Sequence, residues 1–240
     1  MRLGRFPVSI IKMAKKKRTK RDTFLFKVMR VISRPFDHKP KFIFEEPLTE
    51  PSIIICNHNH PRGPTKWSYY FPSDKFMMWG NGKLCGSLKE VYFAIIDTMR
   101  RNGINKVIAG FFAIFATPFI KLGFSQSRII PVHFDMRFYQ TIKTSVEEYK
   151  DGNHIIIFPD KKGIKYTYDI VEIMPGFLIL ARQLKEEGFD PYIVPAKSTK
   201  KRKKIYIDKP IRLSEIESKF DNDKDILDFF MNRINGLTDE

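Results

Sequence analysis

The chain has 240 residues, of which 42% are apolar and 22 are Phe, so it suits one α/β domain with a short attachment and excludes general disorder. Its 43 Lys and Arg against 27 Asp and Glu give a formal net charge of +16, which favours a polyanionic partner: anionic lipid, nucleic acid or a phosphorylated substrate. The two cysteines, Cys56 and Cys85, exclude a disulfide framework and favour a reduced, cytosolic setting.

Residues 1–35 are strongly basic, with 12 Lys and Arg against the single acid Asp22, and we predict a basic N-terminal arm there. Within the arm, basic residues interrupt an apolar run at 24–32. This pattern predicts either a helix on a membrane surface or a helix docked on the core. The apolar run at 6–11 is too short for a secretory signal. Residues 36–240 are predicted to form one α/β domain.

Strands and helices alternate through this domain. Apolar, β-branched runs predict buried strands at residues 52–56, 154–158 and 192–195. A further strand is predicted at 127–134, and an alternating run predicts a strand nearer the sheet edge at 204–208. Helices are predicted at 87–101 (opened by a capping box of Ser87 and Glu90), 105–122, 136–150, 175–185, a short segment capped by Ser214 with Glu217, and 223–234. The alternation predicts an α/β fold with a largely buried mixed sheet flanked by helices.

The longest apolar stretch, residues 107–120, lies inside the second of these predicted helices. It holds about 14 residues, whereas a helix needs about 20 to span a bilayer. We therefore expect the chain to lie on a membrane or in the cytosol without crossing a bilayer.

The segment Asn57-His58-Asn59-His60 directly follows the predicted strand 52–56, where packing does not explain four polar residues. A histidine at a strand end can act as a general base near neutral pH and take a proton from a substrate hydroxyl. The alternative is a structural histidine in a turn. Zinc needs at least a third ligand, which the spacing does not supply, so we predict no metal site.

A second segment, Phe158-Pro159-Asp160-Lys161-Lys162-Gly163, places an acid and two cations at the end of another predicted strand. A phosphate-bearing substrate would fit such a set of charges. An ordinary surface turn is the alternative, because Asp, Lys and Gly are common in turns.

The order of these segments resembles the glycerolipid acyltransferase family, which includes the lysophosphatidic acid acyltransferases. The family's first motif, Asn-His, four residues and Asp, resembles Asn57-His58, and its third, Phe-Pro-Glu-Gly with a basic residue, resembles 158–163. Pro175-Gly176 opens a helix, as in the family. The second and fourth motifs resemble 127–132 and 192–195. The resemblance covers about residues 50–200 and implies a glycerol-phosphate acyltransferase-like fold.

The chain departs from the family at the position of the motif Asp, five residues after His58, which is Gly63. In the family, that Asp orients the histidine and stabilises its charged form. Asp160, on the neighbouring predicted loop, is the candidate replacement. In the third motif, Asp replaces Glu, Lys replaces Arg, and the glycine is displaced.

The resemblance implies acyl transfer from acyl-CoA or an acyl carrier protein to a hydroxyl of a lysophospholipid or related glycerolipid, with no bound cofactor. It implies that His58 is the base, that Asn57 holds its loop, and that Asp160 shapes the same site. Arg128 or Arg137 would bind the acceptor phosphate. The other predicted substrate-binding residues are His60, Arg62, Lys161, Lys162 and Gly163. The protein is expected to be cytoplasmic and peripheral at the inner face of an anionic membrane, held by the basic arm and the apolar segments 24–32 and 107–120.

Two other functions stay open. A non-catalytic lipid-binding protein of the same fold would keep the cleft and the basic surface but lack the orienting acid. Nucleic-acid binding by the Lys-rich runs, including residues 200–204, is less favoured because no recognition motif or aromatic platform accompanies them.

Overall fold

The structure, a computed structural model, describes residues 39–59, 63–126, 128–161, 167–199 and 203–237, together with residues 28 and 31. The predicted basic arm and its candidate membrane-surface helix therefore lie almost wholly outside the described residues.

Eight strands and eight helices occupy the described part of the chain. The strands are β1 (Lys41–Phe44), β2 (Ser52–Cys56), β3 (Phe76–Asn81), β4 (Ile129–Val132), β5 (His154–Ile157), β6 (Tyr192–Ser198), β7 (Lys204–Ile207) and β8 (Ile211–Arg212). The helices are α1 (Gly63–Tyr70), α2 (Gly82–Cys85), α3 (Leu88–Arg101), α4 (Lys106–Gln126), α5 (Phe138–Lys150), α6 (Gly176–Glu186), α7 (Leu213–Glu217) and α8 (Asp223–Gly236).

All eight strands join one mixed sheet in the order β1-β7-β6-β2-β5-β3-β4, with β8 beside β6. The run β6-β2-β5-β3-β4 is parallel throughout, whereas β7 and β8 pair antiparallel with β6. β1 pairs parallel with β7 at the edge. The predicted α/β class with a mixed sheet is confirmed.

Alternation along β2 shows why its residues form a central strand. All five are buried. Successive side chains of a strand point to opposite faces, so Ile53 and Ile55 pack with α5, α6 and α8 on one side. Ile54 and Cys56 pack on the other side with Trp67 of α1. A strand apolar on both faces is stable only between two layers, which places β2 at the middle of the domain.

The predicted capping box at the start of α3 is present. The Glu90 backbone N–H donates to Ser87 Oγ at 3.2 Å, and the Ser87 N–H donates to Glu90 Oε2 at 2.8 Å. The predicted cap at Ser214 is wrong, since α7 begins one residue earlier, at Leu213. Ser214 instead donates its hydroxyl to Asp190 Oδ2 at 2.6 Å, a contact made only in the folded protein.

Strand β3 was not predicted, and it separates α1 from a hairpin of helices, α3 and α4, that connects it to β4. The hairpin has its own core, in which Val91 and Ile95 meet the small residues Ala109 and Ala113. Residues Lys106–Phe124 form a helix long and apolar enough, by length and composition, to cross a bilayer, and only 17% of its most apolar window is buried. The helix thus exceeds the apolar stretch of about 14 residues counted in the sequence.

Candidate functional site

The site lies where β2 and β5 end. These two strands are parallel neighbours, with Ile55 opposite Ile157, so the segments that follow them emerge side by side at the carboxyl edge of the sheet. Open α/β sheets bind ligands at this edge. The backbone N–H of His58, after β2, donates to Asp160 Oδ2, after β5, at 2.9 Å. The two sequence segments singled out above are thus brought into direct contact.

Asn57 holds the end of β2 in place. Its side chain is 1% exposed and hydrogen-bonds to two other segments of the chain. Its Nδ2 donates to the carbonyls of Tyr168 at 2.8 Å and Ser198 at 3.3 Å, and its Oδ1 accepts from the Ser198 N–H at 2.7 Å. Asn57 therefore ties β2 to the end of β6 and to the loop that contains Tyr168.

Lys197 supports that loop from the neighbouring strand. It is 1% exposed, and its Nζ donates to Asp169 Oδ1 at 2.8 Å and to the Asn235 carbonyl at 2.7 Å. The same ammonium lies 4.2 Å from the centre of the Tyr168 ring. Sequence reasoning missed Lys197 as a site residue. Its only sequence signal is a charge inside an otherwise apolar strand, where an unpaired charge would be very costly.

The His58 ring lies between an aromatic ring and a helix start. Its centroid is 5.3 Å from that of Phe158, with the planes tilted by 42°. On another side, a β-carbon added at Gly63 would stand 3.5 Å from His58 Cδ2. Gly63 is the first residue of α1, so the start of this helix lies beside the histidine ring.

Burial raises the pKa of Asp160 to about 6, against its ordinary value of 3.8. Hydrogen bonds from the N–H groups of His58 and of Asp160 itself oppose this rise, because they stabilise the carboxylate. Asp160 is therefore a partly buried acid that changes protonation close to neutral pH. Its bond to the backbone of His58 fixes the shape of the histidine loop.

A cavity of about 1070 Å³ opens at these residues. His58, Asp160 and Lys161 line one part of it, and Arg101 and Asp135 contribute further charges. The sheet and helices α3, α4 and α6 supply apolar lining, including Met78, Trp79, Ile95, Met99, Ile120 and Phe124. Ligand cavities of this kind combine a mainly apolar wall with a few polar groups.

Close packing around the Pro-Gly pair shapes one wall of this cavity. A β-carbon added at Gly176 would stand 2.9 Å from Cζ3 of Trp79, so any side chain there would displace the indole. The indole N–H of Trp79 donates to Ser145 Oγ at 2.8 Å, which fixes the ring. Gly176 is therefore needed for close approach at the wall.

The two arginines predicted for the acceptor phosphate lie at opposite ends of β4. Arg128 precedes the strand, 5.0 Å from the centre of the Phe76 ring, and donates to the Asp74 carbonyl. Arg137 follows the strand, and its Nη2 donates to Asp135 Oδ2 at 2.7 Å. Since Asp135 lines the cavity, Arg137 lies on the side of the site, whereas Arg128 lies at the far edge of the sheet.

Lys161 lies at the cavity with its charge already paired, since its Nζ is 2.6 Å from Glu172 Oε1. The other predicted substrate-binding residues, His60, Arg62, Lys162 and Gly163, lie outside the described residues. Within the described part of the chain, no group of three or more His, Cys, Asp or Glu side chains is placed to hold a metal ion.

The chain matches no protein-family model, no curated protein and no solved structure.

Proposed function

We propose that this protein is an acyltransferase of the glycerol-phosphate acyltransferase-like fold. It would move a fatty acyl group from an acyl thioester, acyl-CoA or an acyl carrier protein, to a hydroxyl of a lysophospholipid or related glycerolipid. The reaction would take place at the cytoplasmic face of a membrane, with no bound cofactor.

One observation carries the proposal: His58 and Asp160 meet at the wall of a large, mainly apolar cavity. Each residue stands at the end of a buried parallel strand, so rigid elements hold both. The cavity offers a basic group beside a long apolar wall, which suits a substrate with a reactive head and a hydrocarbon chain.

The chemistry needs one general base and no covalent intermediate. The imidazole of His58 takes the proton of the acceptor hydroxyl as its oxygen attacks the thioester carbonyl carbon. The tetrahedral intermediate collapses, the carbon–sulfur bond breaks, and the imidazolium returns the proton to the leaving thiolate. The products are the acylated lipid and the free thiol.

Charge at the mouth of the cavity would bind the acceptor headgroup. Arg137 is held by Asp135, whose pKa falls well below its usual range because the guanidinium donates to it. A phosphate has more negative charge and more acceptor oxygens than this carboxylate, so it can compete for the guanidinium. Arg101, exposed at the end of α3, adds a second cation.

The test is replacement of His58 by Ala, followed by measurement of thiol release from long-chain acyl thioesters in the presence of lysophospholipid. We expect a rate loss of at least about 100-fold, the range in which general-base catalysis contributes. His154→Gln serves as the control, because His154 lies at the opposite edge of the sheet, at the start of β5. Undiminished turnover in a folded His58→Ala protein would refute the assignment.

A non-catalytic lipid-binding protein of the same fold is the second candidate, and the identity of residue 63 favours it. A glycine stands where the family places the acid that supports the histidine. Lipid affinity without thiol release, measured for wild type over thioesters of several chain lengths, would select this function over the enzyme.

A further inference from the structure

The outer face of α4 is apolar and unusually exposed. Phe111, Phe115 and Phe119 are 68%, 61% and 69% exposed. The same face carries Val107, Ile108, Phe112, Ile114, Pro118 and Leu122. At 3.6 residues per turn these positions cover about half of the helix circumference. No charged residue occurs between Lys106 and Lys121, so water would cover a continuous apolar surface.

The inner face of the same helix is occupied in two ways. Ala109 and Ala113 are fully buried against α3. Further along, Ile120 and Phe124 line the cavity that contains His58. One helix thickness therefore separates the exposed apolar face from the apolar wall of the candidate site.

We propose that the α3–α4 hairpin docks in one leaflet of an anionic bilayer, with α4 lying in the plane of the interface, and that lipid passes from the leaflet into the cavity beneath it. This inference rests on the proposed function only in taking the cavity occupant to be a lipid. It names the surface that binds the membrane and the route by which the acyl chain arrives.

Charge around the hairpin favours a lipid surface as the occupant. Arg100, Arg101 and Lys106 are exposed at the turn between the two helices. Cations beside an apolar helical face are the pattern of interfacial helices that bind anionic lipid. A second copy of this chain docked parallel to the first would bring an equal number of cations against the same turn, and their repulsion would oppose that dimer.

Packing of α4 on α3 indicates that α4 lies in the plane of the membrane interface. The helix is long enough to span, but its buried face is packed on α3. Helix α3 carries exposed charges, Asp97 and Arg100 among them, which hydrocarbon would not accept. Keeping the hairpin core intact therefore restricts α4 to the boundary between headgroups and acyl chains, about 5 to 10 Å deep.

Binding to vesicles of phosphatidylglycerol and phosphatidylcholine, compared with vesicles of phosphatidylcholine alone, tests the surface. We expect the variant F111S/F115S/F119S to bind the anionic vesicles at least about 100-fold more weakly than wild type, since each buried Phe contributes severalfold. Phe189→Ser is the control, because this exposed Phe lies beyond the end of α6, away from the hairpin. Unchanged vesicle binding by the triple variant, or self-association of wild type that the triple variant abolishes, would overturn the proposal.

Depth is tested with Phe115→Trp and brominated lipids. The two native tryptophans, Trp67 and Trp79, are 1% and 9% exposed, but Trp79 lines the cavity, so the quenching measured for wild type is subtracted to isolate the new indole. Strongest quenching by bromines near the glycerol backbone is expected. Strongest quenching by bromines at the acyl-chain ends would indicate a spanning helix and refute the in-plane position.

These readouts are independent of turnover. His58→Ala should bind the vesicles as wild type does, because its ring lies in the cavity and not on the α4 surface. If the acyltransferase proposal fails, vesicle binding should still depend on the α4 surface. If the hairpin proposal fails, wild type and the α4 variant should bind the vesicles with equal affinity.

Discussion

Gly63 lies beside the ring of His58: a β-carbon at position 63 would stand 3.5 Å from His58 Cδ2. The spacing of His58 and residue 63 thus places the side-chain position of residue 63 next to the imidazole, and no acid stands there in this chain. Asp160 accepts a hydrogen bond from the backbone N–H of His58. The histidine loop is therefore ordered by one carboxylate while the position beside the ring carries none.

Gly63→Asp should strengthen His58 as a base. The added β-carbon meets only ordinary van der Waals contact, and an acid suits the first turn of α1. A carboxylate next to the imidazole stabilises its charged form, so the imidazole of the variant should be protonated more readily than that of wild type. NMR titration of His58 and thioester turnover measure the effect, and we expect turnover at least about 10-fold above wild type. Gly63→Asn, which is isosteric and uncharged, should give neither change; equal effects of both substitutions would contradict the electrostatic explanation.

Asp160→Asn should change how stability depends on pH. The folded-state pKa of Asp160 is raised, so the native protein holds this proton more tightly than the unfolded chain does. Ionisation of Asp160 therefore destabilises the fold progressively from about pH 4 to pH 6, by about 3 kcal/mol in total for a shift of about two units. The Asn variant lacks this loss, so its free energy of unfolding relative to wild type should rise across that range in urea titrations. A difference that is flat with pH, or that falls, would contradict the raised pKa.

Asn57→Ala should cost more stability than Asn59→Ala. Removing the Asn57 amide leaves the Tyr168 carbonyl and the Ser198 N–H without this partner in a buried place, which costs about 3 kcal/mol. Asn59 also donates to Ser198, at 3.0 Å, but it is only half-buried, so water can replace it at a cost of about 1 kcal/mol. Chemical denaturation measures the free energy of unfolding of the two variants. Equal losses would show that the Asn57 hydrogen bonds contribute no more to stability than those of Asn59.

Arg137→Ala and Arg128→Ala should separate binding from stability. Loss of Arg137 removes a cation beside the cavity, so the KM for a phosphorylated acceptor should rise about 10-fold with little change in kcat. Loss of Arg128 removes a cation–π contact with Phe76 at the far edge, so it should lower stability by about 1 kcal/mol and leave KM unchanged. A raised KM in the Arg128 variant instead would place the phosphate site elsewhere.

Much of the fold could be predicted from local patterns. The continuous apolar run of β2 predicted a strand buried on both faces, and the Ser87–Glu90 capping box marked the first residue of α3. Strand β3 was missed because Phe76–Asn81, with two Met and a Gly, has little intrinsic strand preference. Its backbone becomes a strand by pairing with β4 and β5, which are about 50 and 75 residues away in the sequence.

Local sequence patterns were enough to identify the parts of the site: a histidine after one buried strand, an acid after another, and an apolar helix with no charge between Lys106 and Lys121. Which of these residues meet depends on the tertiary structure. The order β6-β2-β5 brings His58 to Asp160 and Asn57 to Ser198, although about 100 and 140 residues separate them. Residue types and the spacing of apolar residues indicate local conformation and burial. Contacts across a sheet depend on strand order, which local sequence patterns do not predict. The same reason applies to Gly63. The sequence shows that a glycine stands where the motif that Asn57-His58 resembles has an acid, whereas the position of this glycine beside the His58 ring follows only from the fold.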